Sequence, residues 1–151
     1  MVEPAHTRIL VVDDELAIRV TLDALLRRRG YIVESAANGE EALGWLMQCA
    51  FDLLLIDLRL PGMNGLVLAQ CAQTCQPSAK IVFLTGSSDF NGVPLEEQVG
   101  YFEYILKTDS PQAVMDRVAS MLGHQDKKSV PADEHRRWHA GDEAVASWAL
   151  S

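Results

Sequence analysis

Leu53-Leu54-Leu55-Ile56-Asp57-Leu58-Arg59-Leu60-Pro61-Gly62-Met63-Asn64-Gly65 is the stretch whose reading decides the fold. Four apolar residues in a row, bounded by structure breakers, are the signature of a strand buried on both faces. Asp57 stands where the apolar run stops, and the Pro-Gly and Asn-Gly pairs that follow impose a tight loop. A carboxylate launched from a buried strand onto a loop is costly unless chemistry or a cation needs it. Capping of the next helix does not explain it, because caps sit immediately before their helix and Asp57 lies well upstream of Leu66. Asp57 is therefore the residue to explain.

Working outward, the same grammar repeats. Residues 8–12 (Arg-Ile-Leu-Val-Val) form a second apolar run that ends in acids, Asp13-Asp14-Glu15. Residues 16–29, with Leu16, Val20, Leu22, Leu25 and Leu26, fit a helix. Its Arg27-Arg28-Arg29 close followed by Gly30 is ordinary helix termination, with no need of an anionic ligand. A strand is expected over 31–36, and Asn38-Gly39 turns the chain into a helix over 40–49, with Ala42, Leu43, Leu46 and Met47 on one side. After the Asp57 strand come a helix over 66–74, stopped before Pro77, and a strand over 80–84 ending at Thr85-Gly86. A short strand over 104–106 ends at Lys107. Ser110-Pro111 then opens a last helix to about Leu122, serine as cap and proline at the first helical position.

Strands alternating with helices imply right-handed crossovers and a parallel sheet covered on both faces, an α/β fold. In such sheets ligands bind beyond the carboxyl ends of the strands. Asp13, Asp14, Asp57, Thr85 and Lys107 all fall at those ends, five polar residues from four strands. Three carboxylates in one crevice repel one another, so their pKa values rise or a cation joins them. Hard oxygen donors with no histidine nearby suit Mg²⁺ better than zinc. A Mg²⁺ with a lysine and a hydroxyl beside it is a kit for stabilising phosphoryl oxygens. Asp57 could then act as nucleophile and take a phosphoryl group as an acyl phosphate, with Asp13 and Asp14 holding the metal.

Composition bounds the alternatives. The 151 residues are enough for one domain with a real core, and at 48% hydrophobic and 23% charged the chain is globular in type. Net charge is −8, with nine basic against sixteen acidic residues through Gly123, so direct nucleic-acid binding is not expected. No membrane association is expected, and a cytoplasmic location is. Three cysteines, Cys49, Cys71 and Cys75, read as buried or half-buried free thiols.

The motifs Val11-Val12-Asp13-Asp14-Glu15, Asp57 through Gly65, Leu84-Thr85-Gly86 and Tyr104-Ile105-Leu106-Lys107 resemble those of receiver domains of bacterial two-component response regulators, over roughly residues 7–123. The resemblance implies a flavodoxin-like, doubly wound five-stranded parallel sheet of order 2-1-3-4-5. It implies phosphorylation of Asp57 by a histidine kinase or histidine phosphotransfer protein, and a switched surface read by an unknown downstream protein. It implies Mg²⁺ held by Asp14, Asp57 and the backbone carbonyl of Arg59, with Asp13 nearby through water. It implies a switch in which Thr85 moves toward the phosphoryl group and Tyr104 turns inward behind it. Such a module is not an enzyme but a phosphoacceptor with slow autodephosphorylation, whose lifetime Arg59 and Ser87 are placed to tune.

Three departures from the family pattern stand out. Thr108 follows Lys107 where a proline introduced by a cis bond is usual, Tyr101 replaces a small residue, and Asn91-Gly92-Val93-Pro94 interrupts the family's fourth helix, leaving an irregular or shortened one over 95–99. Residues 1–123 are thus expected to be the receiver. Residues 124–151 are expected to be a polar linker and short amphipathic tail (Trp138, Val145, Trp148, Ala149) with no recognisable output domain. His135 and His139, one helical turn apart, read as solvated. Two other readings stay open: a Mg²⁺-dependent phosphohydrolase with an aspartyl-phosphate intermediate, for which a cap domain is missing, and a degenerate receiver that binds partners without phosphorylation.

Overall fold

The computed structural model describes residues 6–86 and 102–123. Five strands, β1 (Arg8–Val12), β2 (Ile32–Ala36), β3 (Leu53–Asp57), β4 (Lys80–Thr85) and β5 (Glu103–Leu106), form one parallel sheet of order β2-β1-β3-β4-β5. Four helices are described: α1 (Leu16–Arg28), α2 (Gly39–Gln48), α3 (Gly65–Cys75) and α4 (Pro111–Met121). The flavodoxin-like order inferred from the family resemblance is the order observed. The expected irregular helix before Val99, Ser87, Tyr101, and the tail with His135, His139 and Trp138 lie outside the described residues.

The central strand is central because its sequence can be dry on both sides. Leu53 to Ile56 are fully buried; Leu53 and Leu55 face the cluster under α1 and α4, Leu54 and Ile56 the cluster under α2 and α3. Burying such side chains contributes about 1.5–3 kcal/mol each. Register carries the polar ends into line: Val12 pairs with Ile56, and Asp57 with Leu84.

Helix ends are set by local chemistry. Asn38 caps α2, accepting from the Glu41 backbone N–H at 2.9 Å while the Glu41 carboxylate accepts from the Ala37 N–H at 2.8 Å. Asn64 caps α3 and Ser110 caps α4, so the loop after β3 has its own cap and Asp57 is free for another task. α1 stops at Gly30, whose φ of 95° allows the N–H groups of Gly30 and Tyr31 to reach back to the carbonyls of Arg27 and Leu26.

Four side-chain expectations are corrected. On α1 the buried stripe is Ile18, Leu22 and Leu26, while Leu16 and Val20 are 64% and 57% exposed. On α2 Met47 points to solvent and Ala42 and Leu46 face the sheet. Cys75 is exposed and only Cys49 and Cys71 are half-buried, because the inward stripe of α3 runs through Leu68, Ala69 and Ala72. Helical periodicity names a face but leaves which apolar residues win it to the packing. No described peptide bond is cis, so Lys107–Thr108 is trans.

Candidate functional site

The carboxyl ends of β1, β3 and β4 and the turn after β5 meet in one crevice. Asp13 follows β1 and is fully buried. Its backbone N–H donates to the Ala36 carbonyl (3.1 Å), its Oδ1 accepts from the Glu15 N–H (2.9 Å), and its carbonyl accepts from Arg19 Nη1 (2.7 Å). Asp14, next in the chain, is exposed. Asp57 ends β3 only 3% exposed, and its Oδ1 accepts from the Arg59 N–H at 3.0 Å. Arg59 thus meets Asp57 through its backbone. One oxygen from each of Asp13, Asp14 and Asp57 can be chosen so that all lie within 4.8 Å of one another.

Lys107 comes to these acids because β5 ends beside β4: its backbone N–H donates to the Thr85 carbonyl at 2.6 Å. Its Nζ lies 3.0 Å from Asp13 Oδ2, 3.2 Å from Asp57 Oδ2 and 3.3 Å from Glu15 Oε1. Thr85 is fully buried at the end of β4, and its Oγ1 has no hydrogen-bond partner among the described residues. Buried hydroxyls are usually satisfied, so this one is a donor in reserve. Tyr104, paired in register with Phe83, is half-buried and packs on the α2–α3 side of the sheet.

The loop between Asp57 and α3 leaves no slack. A Cβ on Gly65 would stand 2.5 Å from the Asp57 carbonyl oxygen and 2.8 Å from that of Leu58, so glycine is required by close backbone approach. Gly62, at φ 77°, takes the left-handed corner of the same loop.

Electrostatics follow from burial. Desolvation, with the Asp13 carboxylate beside it, pushes Asp57 up from 3.8 to about 7, against the opposing pull of Lys107 and the Arg59 N–H. Burial likewise raises Asp13. Burial works against the Lys107 cation, but the Asp13 and Asp57 carboxylates outweigh it and hold Lys107 above its ordinary 10.5. The crevice carries more negative charge than one ammonium neutralises. Its donors are carboxylate oxygens with no histidine or cysteine among them, the set a hard divalent cation such as Mg²⁺ prefers.

All five strand-end residues expected from the sequence are therefore brought together. Two neighbours were not singled out there: Glu15, whose carboxylate reaches Lys107, and Arg19, which ties the Asp13 carbonyl to the first turns of α1. Glu15 had a signal, being the third acid in a row at a strand end. Arg19 had none, since its partner is a backbone atom.

Comparison with known proteins agrees with this geometry. The sequence model of the response regulator receiver domain matches residues 9–119. The transcriptional regulatory protein ResD of Bacillus subtilis is 36% identical over 118 residues, covering 78% of this chain and 48% of that protein. The aerobic respiration control protein ArcA of Escherichia coli K12 is 32% identical over 128 residues, covering 85% and 53%. The chain spans about half the length of these curated relatives. Among solved structures, a CheY-like receiver domain protein from Methanospirillum hungatei superimposes with a TM-score of 0.69 at 32% identity, over 82% of this chain and 98% of that one. The response regulator TrrA from Thermotoga maritima, in complex with Mg²⁺ and BeF, gives 0.65 at 34% identity, over 77% and 99%. No helix among the described residues is long and apolar enough to cross a membrane.

Proposed function

Since the chain belongs to the family of response regulator receiver domains, we propose that it takes a phosphoryl group on Asp57 and holds it as a signal. The donor is a phosphohistidine of a histidine kinase or histidine phosphotransfer protein in the cytoplasm. An Asp57 carboxylate oxygen forms the new bond to phosphorus, the phosphorus–nitrogen bond breaks, and its electron pair returns to the imidazole, which takes up a proton. Hydrolysis later transfers the phosphoryl group to water and regenerates the carboxylate, slowly, so the protein acts as a timed switch.

The single observation that carries this reading is the position of Lys107 and Thr85 around Asp57. A lysine 3.2 Å from Asp57 Oδ2, and a buried hydroxyl that lacks a hydrogen-bond partner among the described residues, are donors set around the carboxylate. Phosphoryl oxygens on Asp57 are acceptors for both. Asp14, Asp57 and the Arg59 carbonyl would hold Mg²⁺, with Asp13 behind them; the ion supplies charge neutralisation at the phosphoryl oxygens when bound. Asp13, immobilised by the Glu15 N–H and Lys107, is suited to a supporting place, and exposed Asp14 to a direct one. Thr85, drawn toward the phosphoryl group, and Tyr104, half-buried two register steps back along β5, are the pair that relays the change to a partner protein. Residues 1–123 act as the receiver, and the effect passes through protein contacts, without direct binding to nucleic acid.

The test is intact mass after incubation with an acyl phosphate and Mg²⁺. One phosphoryl adduct, absent in Asp57→Asn and in chelator, is the expected result. A folded protein that binds Mg²⁺ yet acquires no adduct would overturn the reading.

A further inference from the structure

We infer that Glu15 is a positioning residue that brakes phosphoryl uptake by holding Lys107 until the phosphoryl group displaces it. This deepens the proposed function and rests on it.

Glu15 occupies the N-cap position of α1, where a side chain usually accepts a hydrogen bond from its own helix. Its backbone is extended as a cap's is, with φ −90° and ψ 119°, yet its side chain makes no capping bond. The carboxylate reaches instead to Lys107, 92 residues along the chain, with Oε1 3.3 Å from Nζ.

Lys107 gives the contact its meaning. An ammonium has three N–H groups, and three carboxylate oxygens, from Asp13, Asp57 and Glu15, stand within 3.3 Å of it. Nζ hydrogen-bonds Asp57 and Glu15 and is ion-paired with Asp13, whose Oδ2 accepts no hydrogen bond among the described residues. A phosphoryl oxygen on Asp57 draws the ammonium toward itself, and that move strains one of these three contacts. Asp13 is fully buried and pinned by the Glu15 N–H, and Asp57 is the acceptor itself. The Glu15 side chain is 53% exposed and loses least by turning to water. An arriving phosphoryl dianion also repels it. Glu15 is thus the partner that leaves.

Two effects then slow the resting protein: the Glu15 charge at the crevice mouth repels an anionic donor, and its contact occupies the lysine. Two variants separate them. Glu15→Gln removes the charge and weakens the contact, and no cap is lost. Glu15→Asp keeps the charge but is one methylene too short to keep the reach.

The experiment follows adduct formation with an acyl phosphate in Mg²⁺ for the three proteins. Mg²⁺ affinity without phosphodonor and the NMR shift of the Lys107 Nζ group are measured alongside. Expected is uptake about two- to fivefold faster in Glu15→Gln, the rate equivalent of releasing a half-exposed ion pair. Glu15→Asp should be faster than wild type as well, both variants should move the Lys107 signal, and neither should lose Mg²⁺ binding. Uptake unchanged or slower in Glu15→Gln overturns the brake, and Glu15→Asp behaving as wild type assigns the effect to charge alone and also overturns it. Loss of Mg²⁺ binding would make Glu15 a metal ligand, which the inference excludes. Should wild-type protein take no adduct, the proposed function fails by itself; an unmoved Lys107 signal in the variants would then overturn the contact separately.

Discussion

Ile56 and Asp57 are neighbours in β3 and almost equally withdrawn from water, yet burial does opposite things to them. Ile56, at the α2–α3 side of the sheet, gains from every apolar neighbour. Asp57 stands one residue later at 3% exposure and is pushed up to about 7 by that same burial and by Asp13. The body of the sheet is built for stability and its carboxyl rim is built against it. Stability is surrendered at the rim where the proposed phosphoryl acceptor and the candidate cation ligands lie.

That contrast can be tested from the dry side first. Leu54→Ala removes a fully buried side chain from the central strand and should cost about 2–5 kcal/mol in urea unfolding; a loss below about 1 kcal/mol would mean the body of the sheet is not the stabilising half. Gly65→Ala drives a Cβ against two backbone carbonyls at the rim, and should cost about 1–3 kcal/mol and weaken Mg²⁺ binding with it. Asp57→Asn should go the other way. Without divalent cations near pH 7 it is expected to stabilise the protein by about 1–2 kcal/mol, and Mg²⁺ should stabilise wild type far more than the variant.

The pH dependence sharpens the same point, with the opposite sign to an ordinary ion-paired carboxylate. A carboxyl whose pKa is raised from 3.8 in the unfolded chain to about 7 in the folded one is tolerated while protonated and penalised as it ionises. Cation-free wild type should therefore lose stability as pH rises between about 4 and 7, relative to Asp57→Asn, which lacks that slope. A difference between the two proteins that is flat across this window would contradict the assigned strain. Smallest of all should be Arg29→Ala. Its links to Asp116 (3.2 Å) and Gln112 (3.1 Å) join α1 to α4 at the surface, and their loss should cost under about 0.5 kcal/mol.

Much of the fold was legible because its signals are local. The runs at Arg8–Val12 and Leu53–Asp57 match the observed strands residue for residue, and Ser110-Pro111 marks the observed start of α4. Misread were residues whose fate depends on a neighbouring element. Leu16, Val20 and Met47 are apolar and at helical spacing, but α1 and α2 each offer the sheet only one stripe, and Ile18, Leu22, Ala42 and Leu46 fill it. Strand order came from family likeness, since periodicity says nothing about which parallel strands become neighbours.

By itself the sequence determined the elements, their order, and that Asp13, Asp14, Asp57, Thr85 and Lys107 stand at strand ends, because propensity, breakers and apolar runs act between residues close in the chain. Only the tertiary structure decided that Asp13 is sealed while Asp14 is open, that Lys107 is shared among three carboxylates, and that Glu15 is one of them. Those outcomes depend on Coulomb attraction and desolvation, which are set by distance and burial in space, and Glu15 meets Lys107 across 92 residues of chain.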